Sequence, residues 1–182
     1  MAVKIMRAFC HAVIIGGLLL LVSIAILIFP ASVRYAKADN LYVAGDSHGV
    51  ALAQVAGLTS VAKNGAHTRD VPAQLLRLPR GATVFLFTGT NDAAARLAGF
   101  RAAVSAVLAT AKERNQNLIW IGPVRSPAYW WDSYSDQADT FLALAVPNYV
   151  SMRAIDFTAD ERSGFHLTPK GYARLWRIVR AR

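Results

Sequence analysis

Ser47 and His166 are the two residues of this chain whose settings suit nucleophilic chemistry. Ser47 lies in Gly45-Asp46-Ser47-His48, directly after a short apolar run that is typical of a strand. A serine on a strand-to-helix turn exposes its hydroxyl beside backbone N–H groups, which stabilise negative charge. His166 lies far downstream and supplies the base that a serine needs to become a nucleophile at neutral pH. Gly-Asp-Ser alone is also a common helix cap, so both interpretations are open at this point.

The elements that must position these residues are short strands alternating with amphipathic helices. Strands are predicted at Leu41–Ala44, Ser60–Ala62, Thr83–Thr88, Leu118–Ile121 and Tyr149–Ile155. Helices are predicted at Val50–Leu58, Val71–Leu78, Ala93–Arg114 and Asp136–Ala145, and Thr168 and Pro169 are expected to start a last helix. This order predicts an α/β fold with a five-stranded parallel sheet between two layers of helices.

Polar turns follow four strands of this predicted sheet. Ser47 follows the first strand, Gly65 the second, Asn91 the third and His166 the fifth. Because the carboxyl ends of parallel strands meet at one edge of a sheet, these residues are expected to lie near one another. This shared placement favours a catalytic role for Ser47 over a capping role.

The chain resembles the SGNH hydrolase (GDSL-type) superfamily over roughly residues 40–182. Four separated blocks carry the resemblance: Gly45-Asp46-Ser47, Asn64-Gly65-Ala66, Gly89-Thr90-Asn91-Asp92 and His166-Leu167-Thr168-Pro169-Lys170-Gly171-Tyr172. Each block is weak alone, but four in order on the expected elements are specific together. The resemblance implies a flavodoxin-like three-layer α/β/α sandwich and the hydrolysis of esters without a cofactor.

The resemblance also implies a role for each matched residue. Ser47 would attack an ester carbonyl, and His166 would accept its proton and pass it to the leaving alcohol. The backbone N–H groups of Ser47 and Gly65 and the side-chain amide of Asn91 would form the oxyanion hole.

The chain departs from the family pattern at the residue that orients the histidine. The family usually has an aspartate three residues before the histidine, where this chain has Ser163. Asp160 is the first candidate to replace it and Asp156 the second. Ser163 or a backbone carbonyl could instead orient the imidazole in a Ser–His dyad, or the pocket could have become non-catalytic.

Several other residues near the expected site are open to a binding role. Aromatic residues cluster after the fourth strand and are candidates for an acyl pocket, a sugar platform or a membrane contact: Tyr129, Trp130, Trp131 and Tyr134. The alternative is a loop that buries its own rings. His48 and His67 are interpreted as surface or capping histidines. The sequence has no ligand cluster of recognisable spacing, so no metal is expected.

Residues 1–38 form a segment separate from the predicted domain at 39–182. Residues 12–29 carry no charge and end at Pro30, which is typical of a membrane-spanning helix or of the core of a signal peptide. The length of the run favours a retained anchor, while Ala36-Lys37-Ala38 fits a cleavage site. Either way the domain is expected outside the cytoplasm, anchored to the membrane or secreted.

Charge and cysteine content narrow the remaining classes. The only cysteine, Cys10, lies in the first segment, so the domain can hold no disulfide. The formal net charge is +9, and an exported basic domain is expected to meet anionic lipid or acidic envelope polymers rather than nucleic acid. The alternative for the basic last helix is a solubilising face.

These observations together predict a membrane-associated or exported serine ester hydrolase. An O-acetylated envelope carbohydrate is the first substrate expected and a lipid acyl ester the second. The alternative is a degenerate SGNH module that binds glycan or lipid, or that supports a partner acyltransferase.

Overall fold

The computed structural model describes residues 40–125 and 130–182, and its centre is a parallel sheet of five strands. The order across the sheet is β2-β1-β3-β4-β5, the order of flavodoxin-like folds. All four neighbouring pairs are parallel. The strands are β1 Leu41–Gly45, β2 Thr59–Ser60, β3 Thr83–Phe87, β4 Asn117–Ile121 and β5 Tyr149–Val150.

Six α-helices lie in the described part of the chain. They are α1 Ser47–Ala56, α2 Val71–Leu76, α3 Thr90–Ala94, α4 Phe100–Glu113, α5 Asp132–Ala145 and α6 Pro169–Val179. Short 3₁₀ turns occupy Thr68–Asp70, Met152–Ala154 and Ala159–Glu161. A small antiparallel hairpin, β6 Arg162–Ser163 and β7 His166–Leu167, precedes α6.

The core has two parts because β3 is buried on both of its faces. Val84 and Leu86 pack into one apolar cluster with residues of α2, α4 and α5, whereas Phe85 and Phe87 pack into a second cluster with residues of α1 and α6. Successive strand residues point to opposite faces, so helices cover both sides of the sheet. This confirms the predicted α/β fold with a five-stranded parallel sheet. Both clusters consist of described residues between 41 and 179, and Asn40–Arg182 forms one compact unit.

The prediction of one long helix over Ala93–Arg114 was wrong. Two helices, α3 and α4, occupy the region, and between them Arg96, Leu97 and Gly99 have φ of 57°, 58° and 71°. These values lie in the left-handed region, which a right-handed helix cannot contain. The apolar spacing that suggested one helix continues through the break, because Leu97 and Phe100 both pack on the core.

The fifth strand and the segment after it also differ from the prediction. β5 pairs with β4 over two residues, and a 3₁₀ turn replaces the rest of the predicted strand Tyr149–Ile155. The β6–β7 hairpin was not predicted. By contrast, the predicted start of the last helix is confirmed: the Thr168 hydroxyl accepts a hydrogen bond from the backbone N–H of Gly171, and Pro169 is the first helical residue.

The membrane or signal segment at residues 1–38 lies outside the described residues, and the boundary near residue 39 stays a prediction. Within residues 40–125 and 130–182, the structure contains no helix long and apolar enough to cross a membrane.

Candidate active site

Ser47 is the first residue of α1, immediately after the carboxyl end of β1. Asp46 caps this helix, because its Oδ1 accepts a hydrogen bond of 2.9 Å from the backbone N–H of His48. The helix therefore begins at Ser47 rather than at the predicted Val50. Ser47 lies in the first turn, where free backbone N–H groups and the helix dipole favour negative charge.

The turn that carries Ser47 is fixed by backbone geometry and by a buried amide. Gly45 has φ +118°, and a Cβ at this position would lie 1.8 Å from the carbonyl oxygen of Phe87 on the neighbouring strand, so only glycine fits. The side chain of Gln74 accepts a hydrogen bond from the Gly45 N–H at 2.6 Å and donates one to the Gly45 carbonyl at 3.0 Å. Both contacts are buried and hold the serine turn against α2.

His166 comes from the β6–β7 hairpin and faces Ser47. The distance between the Ser47 Oγ and the His166 Nε2 is 3.0 Å, within hydrogen-bond range. Gly164 has φ +63° in the tight turn of this hairpin, a conformation that favours glycine. The imidazole is partly buried, and burial lowers the pKa of His166 below the usual 6.5. The ring is therefore neutral at pH 7 and able to accept a proton from the hydroxyl.

The pair opens into a broad groove of about 620 Å³. Gly65 lines this groove together with Ser47 and His166, as the sequence predicted, and further lining comes from α1 through Val50 and Gln54. Gly65 has φ +75° with open space where a Cβ would stand. The positive φ, rather than crowding, thus accounts for glycine at this position.

Asn91 is tied to the loop that carries Gly65. Its Nδ2 donates a hydrogen bond of 2.9 Å to the carbonyl of Ala66, the residue after Gly65. One of the two amide hydrogens is used in this contact, and the other remains for a further acceptor. Asn91 lies in the first turn of α3, so this hydrogen bond joins the third sequence block to the second, whose Gly65 lines the groove beside Ser47.

No carboxylate of the described residues hydrogen-bonds to His166. Asp160, the predicted acid, instead accepts a hydrogen bond from Thr158 and forms an ion pair with Lys170. These contacts hold the pKa of Asp160 below its usual value, with the Lys170 contact the larger cause. The prediction that Asp160 orients the imidazole therefore finds no contact to support it. The Asp156 side chain makes no contact with His166 either, and its carbonyl accepts from Arg174.

Ser163 occupies the position where the family pattern has the aspartate. It stands directly opposite His166 in the hairpin, in register across β6 and β7. Directly opposed residues in an antiparallel pair place their side chains on the same face, with Cβ atoms about 5 Å apart. An aspartate at 163 would thus lie beside the imidazole, whereas the exposed serine makes no hydrogen bond to it.

His48 occupies the space beneath His166, a contact that the sequence did not predict. The interpretation of His48 as a surface or capping histidine was wrong, since the residue is fully buried. Its ring lies 4.6 Å from the ring of His166, centroid to centroid, with a tilt of 33°, and it stacks on Phe87 at 4.8 Å. Its Nδ1 lies 2.9 Å from the hydroxyl of Tyr172. The catalytic histidine candidate therefore rests on a second, anchored imidazole.

Burial sets the charge state of the groups behind the site. It lowers the pKa of His48 to about 3, with a smaller contribution from His166, so His48 is neutral. Burial also raises the pKa of Asp46 to about 7, against the opposing effect of the backbone N–H groups of His48 and Gly49. Asp46 caps the serine helix and has one carboxyl oxygen without a partner in the described structure. His67 caps the 3₁₀ turn before α2, which agrees with its predicted capping role.

The aromatic segment is divided between exposed and packed rings. Tyr129 lies outside the described residues. Trp130 is 61% exposed. The guanidinium Cζ of Arg96 lies over its indole, 5.6 Å from the centroid of the Trp130 ring. Trp131 makes an edge contact with Phe165, whose ring is 4.3 Å from His166. Tyr134 belongs to α5 and contacts Trp130. Trp131 thus packs against the β6–β7 hairpin through Phe165, and Trp130 is the described ring of this segment most open to a ligand.

Structural comparison places this domain among known folds. The chain is similar to a protein assigned to the G-D-S-L lipolytic family of Desulfitobacterium hafniense, with a TM-score of 0.57 and 14% identity over 75% of this chain and 95% of the other. It is similar to the OSK domain of Drosophila Oskar, with a TM-score of 0.61 and 11% identity over 76% and 86%. It is also similar to the C-terminal catalytic domain of the peptidoglycan O-acetyltransferase OatA of Streptococcus pneumoniae, with a TM-score of 0.53 and 17% identity over 79% of this chain and 91% of the other.

Further similar structures are named as a GDSL-like lipase and a family 3 carbohydrate esterase. No protein-family model and no curated protein sequence matches the chain. At these identities the likeness establishes the fold: the described domain has the fold of the SGNH hydrolases.

Proposed function

We propose that residues 40–182 form a serine ester hydrolase that works through a Ser47–His166 dyad. The observation that carries this proposal is the 3.0 Å contact between the Ser47 Oγ and the His166 Nε2 at the first turn of α1. A nucleophile, a neutral base and a helix N-terminus converge there on an open groove. The names of the similar hydrolases and of the acetyltransferase domain support ester chemistry.

In the proposed reaction, the Ser47 oxygen forms a bond to the ester carbonyl carbon while His166 takes the hydroxyl proton. The carbonyl oxygen becomes an oxyanion held by the N–H groups of Ser47 and Gly65 and by the Asn91 amide, each donor worth about 3 kcal/mol. The bond to the alcohol then breaks, and the imidazolium gives its proton to the leaving oxygen. Water, deprotonated by His166, then forms a bond to the acyl carbon; the bond to the Ser47 oxygen breaks, and the imidazolium returns its proton to that oxygen as the acid leaves.

In this mechanism His48 positions the imidazole of His166, which is one of the roles of the missing carboxylate. The neutral ring, 4.6 Å from the imidazole of His166 and tilted by 33°, restricts that imidazole to the orientation that reaches Ser47. A carboxylate would also stabilise the imidazolium that forms during the reaction, and a neutral ring does not supply that charge.

We infer that the substrate is an acyl ester on a large molecule, with an O-acetylated envelope carbohydrate first and a lipid ester second. The broad groove supports a large alcohol component, and exposed Trp130 offers a flat ring for a sugar or a chain. The named substrate of the similar acetyltransferase domain, peptidoglycan, supports the carbohydrate. The charge-free run at 12–29 supports attachment to a membrane with the domain outside the cytoplasm.

The test is covalent labelling of the purified protein with a fluorophosphonate, together with turnover of p-nitrophenyl acetate. Labelling and turnover are expected for the wild type, and Ser47→Ala should lose both. Ser60→Ala is the matched control, since Ser60 lies outside the groove and its hydroxyl donates to the carbonyl of Val43. A folded wild type that neither labels nor turns over ester would favour a binding module, the alternative that the absence of a carboxylate at His166 supports.

A further inference from the structure

The end of the sheet opposite the active site gathers several loops in one place. The carbonyl of Asn40 accepts a hydrogen bond from the Thr83 N–H at 2.9 Å, and its side chain donates to the carbonyl of Gly81 at 2.8 Å. The Gly81 N–H in turn donates to the carbonyl of Arg114 at 3.1 Å. Helix α6 starts beside the active site and ends near this level, because its eleven residues and a five-residue strand both span about 16 Å.

Basic side chains dominate this end of the domain. We call them the basic edge: Arg80, Lys112, Arg114, Arg177, Arg180 and Arg182. Arg80 and Arg114 donate hydrogen bonds to the backbone carbonyls of Glu113 and Leu78, which hold the guanidinium groups without neutralising them. No member of the basic edge forms an ion pair with a described residue. Glu113, the last residue of α4, is the one acidic side chain among the described residues of this end.

The carboxylates of the described residues lie mainly on the active-site side. They occur in turns that follow strands or in helices that begin there: Asp46, Asp70, Asp92, Asp132, Asp136, Asp139, Asp156, Asp160 and Glu161. The Lys and Arg ion pairs of the described structure also belong to that side, and they neutralise Arg153, Lys170 and Arg174. The domain therefore has an uncompensated positive end and an active-site end where acidic and basic residues are mixed.

We propose that the basic edge docks the domain on an anionic lipid surface, with the Ser47–His166 groove facing away from it. Each basic residue near such a surface contributes about 1 kcal/mol, which corresponds to about a fivefold gain in partitioning. The attraction acts only within a Debye length of about 10 Å, so it requires the charged end itself to face the lipid. The active-site end carries both acidic and basic residues, so an anionic surface attracts it less strongly.

The chain that precedes Asn40 identifies lipid as the partner. Asn40, the first described residue, lies at this end of the sheet, and the sequence before it contains Arg34 and Lys37 after the charge-free run at 12–29. The ten residues between that run and Asn40 reach at most about 35 Å when extended. The docking proposal thus rests on the proposed membrane attachment of the chain, but not on its ester hydrolysis.

Vesicle binding by residues 40–182, which form one compact unit with two apolar clusters, tests the proposal without the apolar run. Vesicles of phosphatidylcholine with phosphatidylglycerol should bind the domain, and phosphatidylcholine alone should not. The triple variant Arg177→Gln, Arg180→Gln and Arg182→Gln should bind about 100-fold more weakly, with unchanged hydrolysis of p-nitrophenyl acetate. The control is an equal charge change at exposed residues of the other end, Lys63→Gln, Arg69→Gln and Arg125→Gln, which should bind nearly as the wild type does.

Orientation is measured with single cysteines, since residues 40–182 contain none. A spin label at Ala181→Cys should become accessible to lipid-bound relaxation agents on anionic vesicles, whereas a label at Ala98→Cys should stay accessible to water-soluble ones. Equal losses from the two triple variants would overturn the proposal, as would binding to neutral vesicles. Binding to an acidic polysaccharide or to nucleic acid without binding to anionic vesicles would overturn it as well.

Discussion

Replacing His48 tests whether the ring beneath His166 positions the base. In the His48→Ala variant, the stacked contact at 4.6 Å is lost, and such ring pairs contribute about 0.5–1.5 kcal/mol. If that energy holds His166 against Ser47, kcat/KM for p-nitrophenyl acetate should fall roughly two- to tenfold. The loss should fall mainly on kcat, because His48 is buried and cannot contact the substrate.

His48→Phe separates stacking from polarity. A phenyl ring can keep the contacts with Phe87 and His166 but cannot pair with the hydroxyl of Tyr172. We expect its kcat/KM within about twofold of the wild type. The pH profile supplies a second readout: water that enters the space left in His48→Ala relieves the burial of His166, so its pKa rises toward 6.5 and the acid limb moves upward. The acid limb of the pH profile should not shift in His48→Phe.

Folding must be monitored beside activity, since replacing a buried ring by alanine costs roughly 3–5 kcal/mol of stability. Urea titrations at the assay temperature show whether each variant is folded when its activity is measured. A folded His48→Ala variant with the wild-type rate and acid limb would refute a positioning role. A loss in His48→Phe equal to that in His48→Ala would refute stacking as its cause.

The remaining predictions concern the missing acid, the oxyanion donors and the buried carboxyl. Ser163→Asp places a carboxylate opposite His166, so the pKa of the imidazole should rise by about one unit and kcat/KM should increase at high pH, with the acid limb shifted upward; an unshifted limb would show that the two side chains do not interact. Asp160→Asn should leave kcat/KM within about twofold, because Asp160 makes no contact with the imidazole; a large loss would restore it as the acid. Asn91→Ala should lower kcat by about 10²-fold with KM little changed, and an equal rise in KM would instead indicate a ground-state binding role. The pKa of Asp46 is about 7 in the folded state and 3.8 in the unfolded state, so the folded protein holds the proton more tightly. The stability that this proton contributes, on the order of 4 kcal/mol, is therefore lost as pH rises from about 4 to about 7. Urea titrations across this range should show a smaller decline in the free energy of unfolding for Asp46→Asn than for the wild type.

The parallel sheet was predictable because burial leaves a local signal. β3 is an uninterrupted apolar run, and the structure buries it on both faces. The helix break between α3 and α4 was not predictable from spacing, since Arg96 and Leu97 adopt positive φ although neither residue type prefers it. Gly99 is the local sign of a break in this segment, but the sequence does not indicate the conformation of Arg96 and Leu97.

The candidate site likewise has residues that the sequence predicts and a contact that it does not. Ser47, Gly65 and Asn91 stand at strand ends, so topology alone places them at one edge of the sheet. His48 was missed because its partners are remote in sequence: His166 and Tyr172 come together with it only when α6 packs on α1. A histidine directly after the candidate nucleophile is the one sequence signal that could have pointed to this contact. Ser163 was recognised as a departure from the family pattern, but only the hairpin register shows why that position matters.

For the proposed hydrolase, the absence of a carboxylate at His166 bears on the kind of ester that is cleaved. A base of lowered pKa takes the Ser47 proton less readily, but its protonated form donates more readily to a leaving alkoxide. An aryl ester gains little from that donation because a phenolate leaves without it. A sugar or other alkyl ester needs the proton, so the cost of a weak base at the first step is offset at the second. The burial that lowers the pKa of His166 therefore suits the dyad to an alkyl ester, which is the class of bond in both proposed substrates.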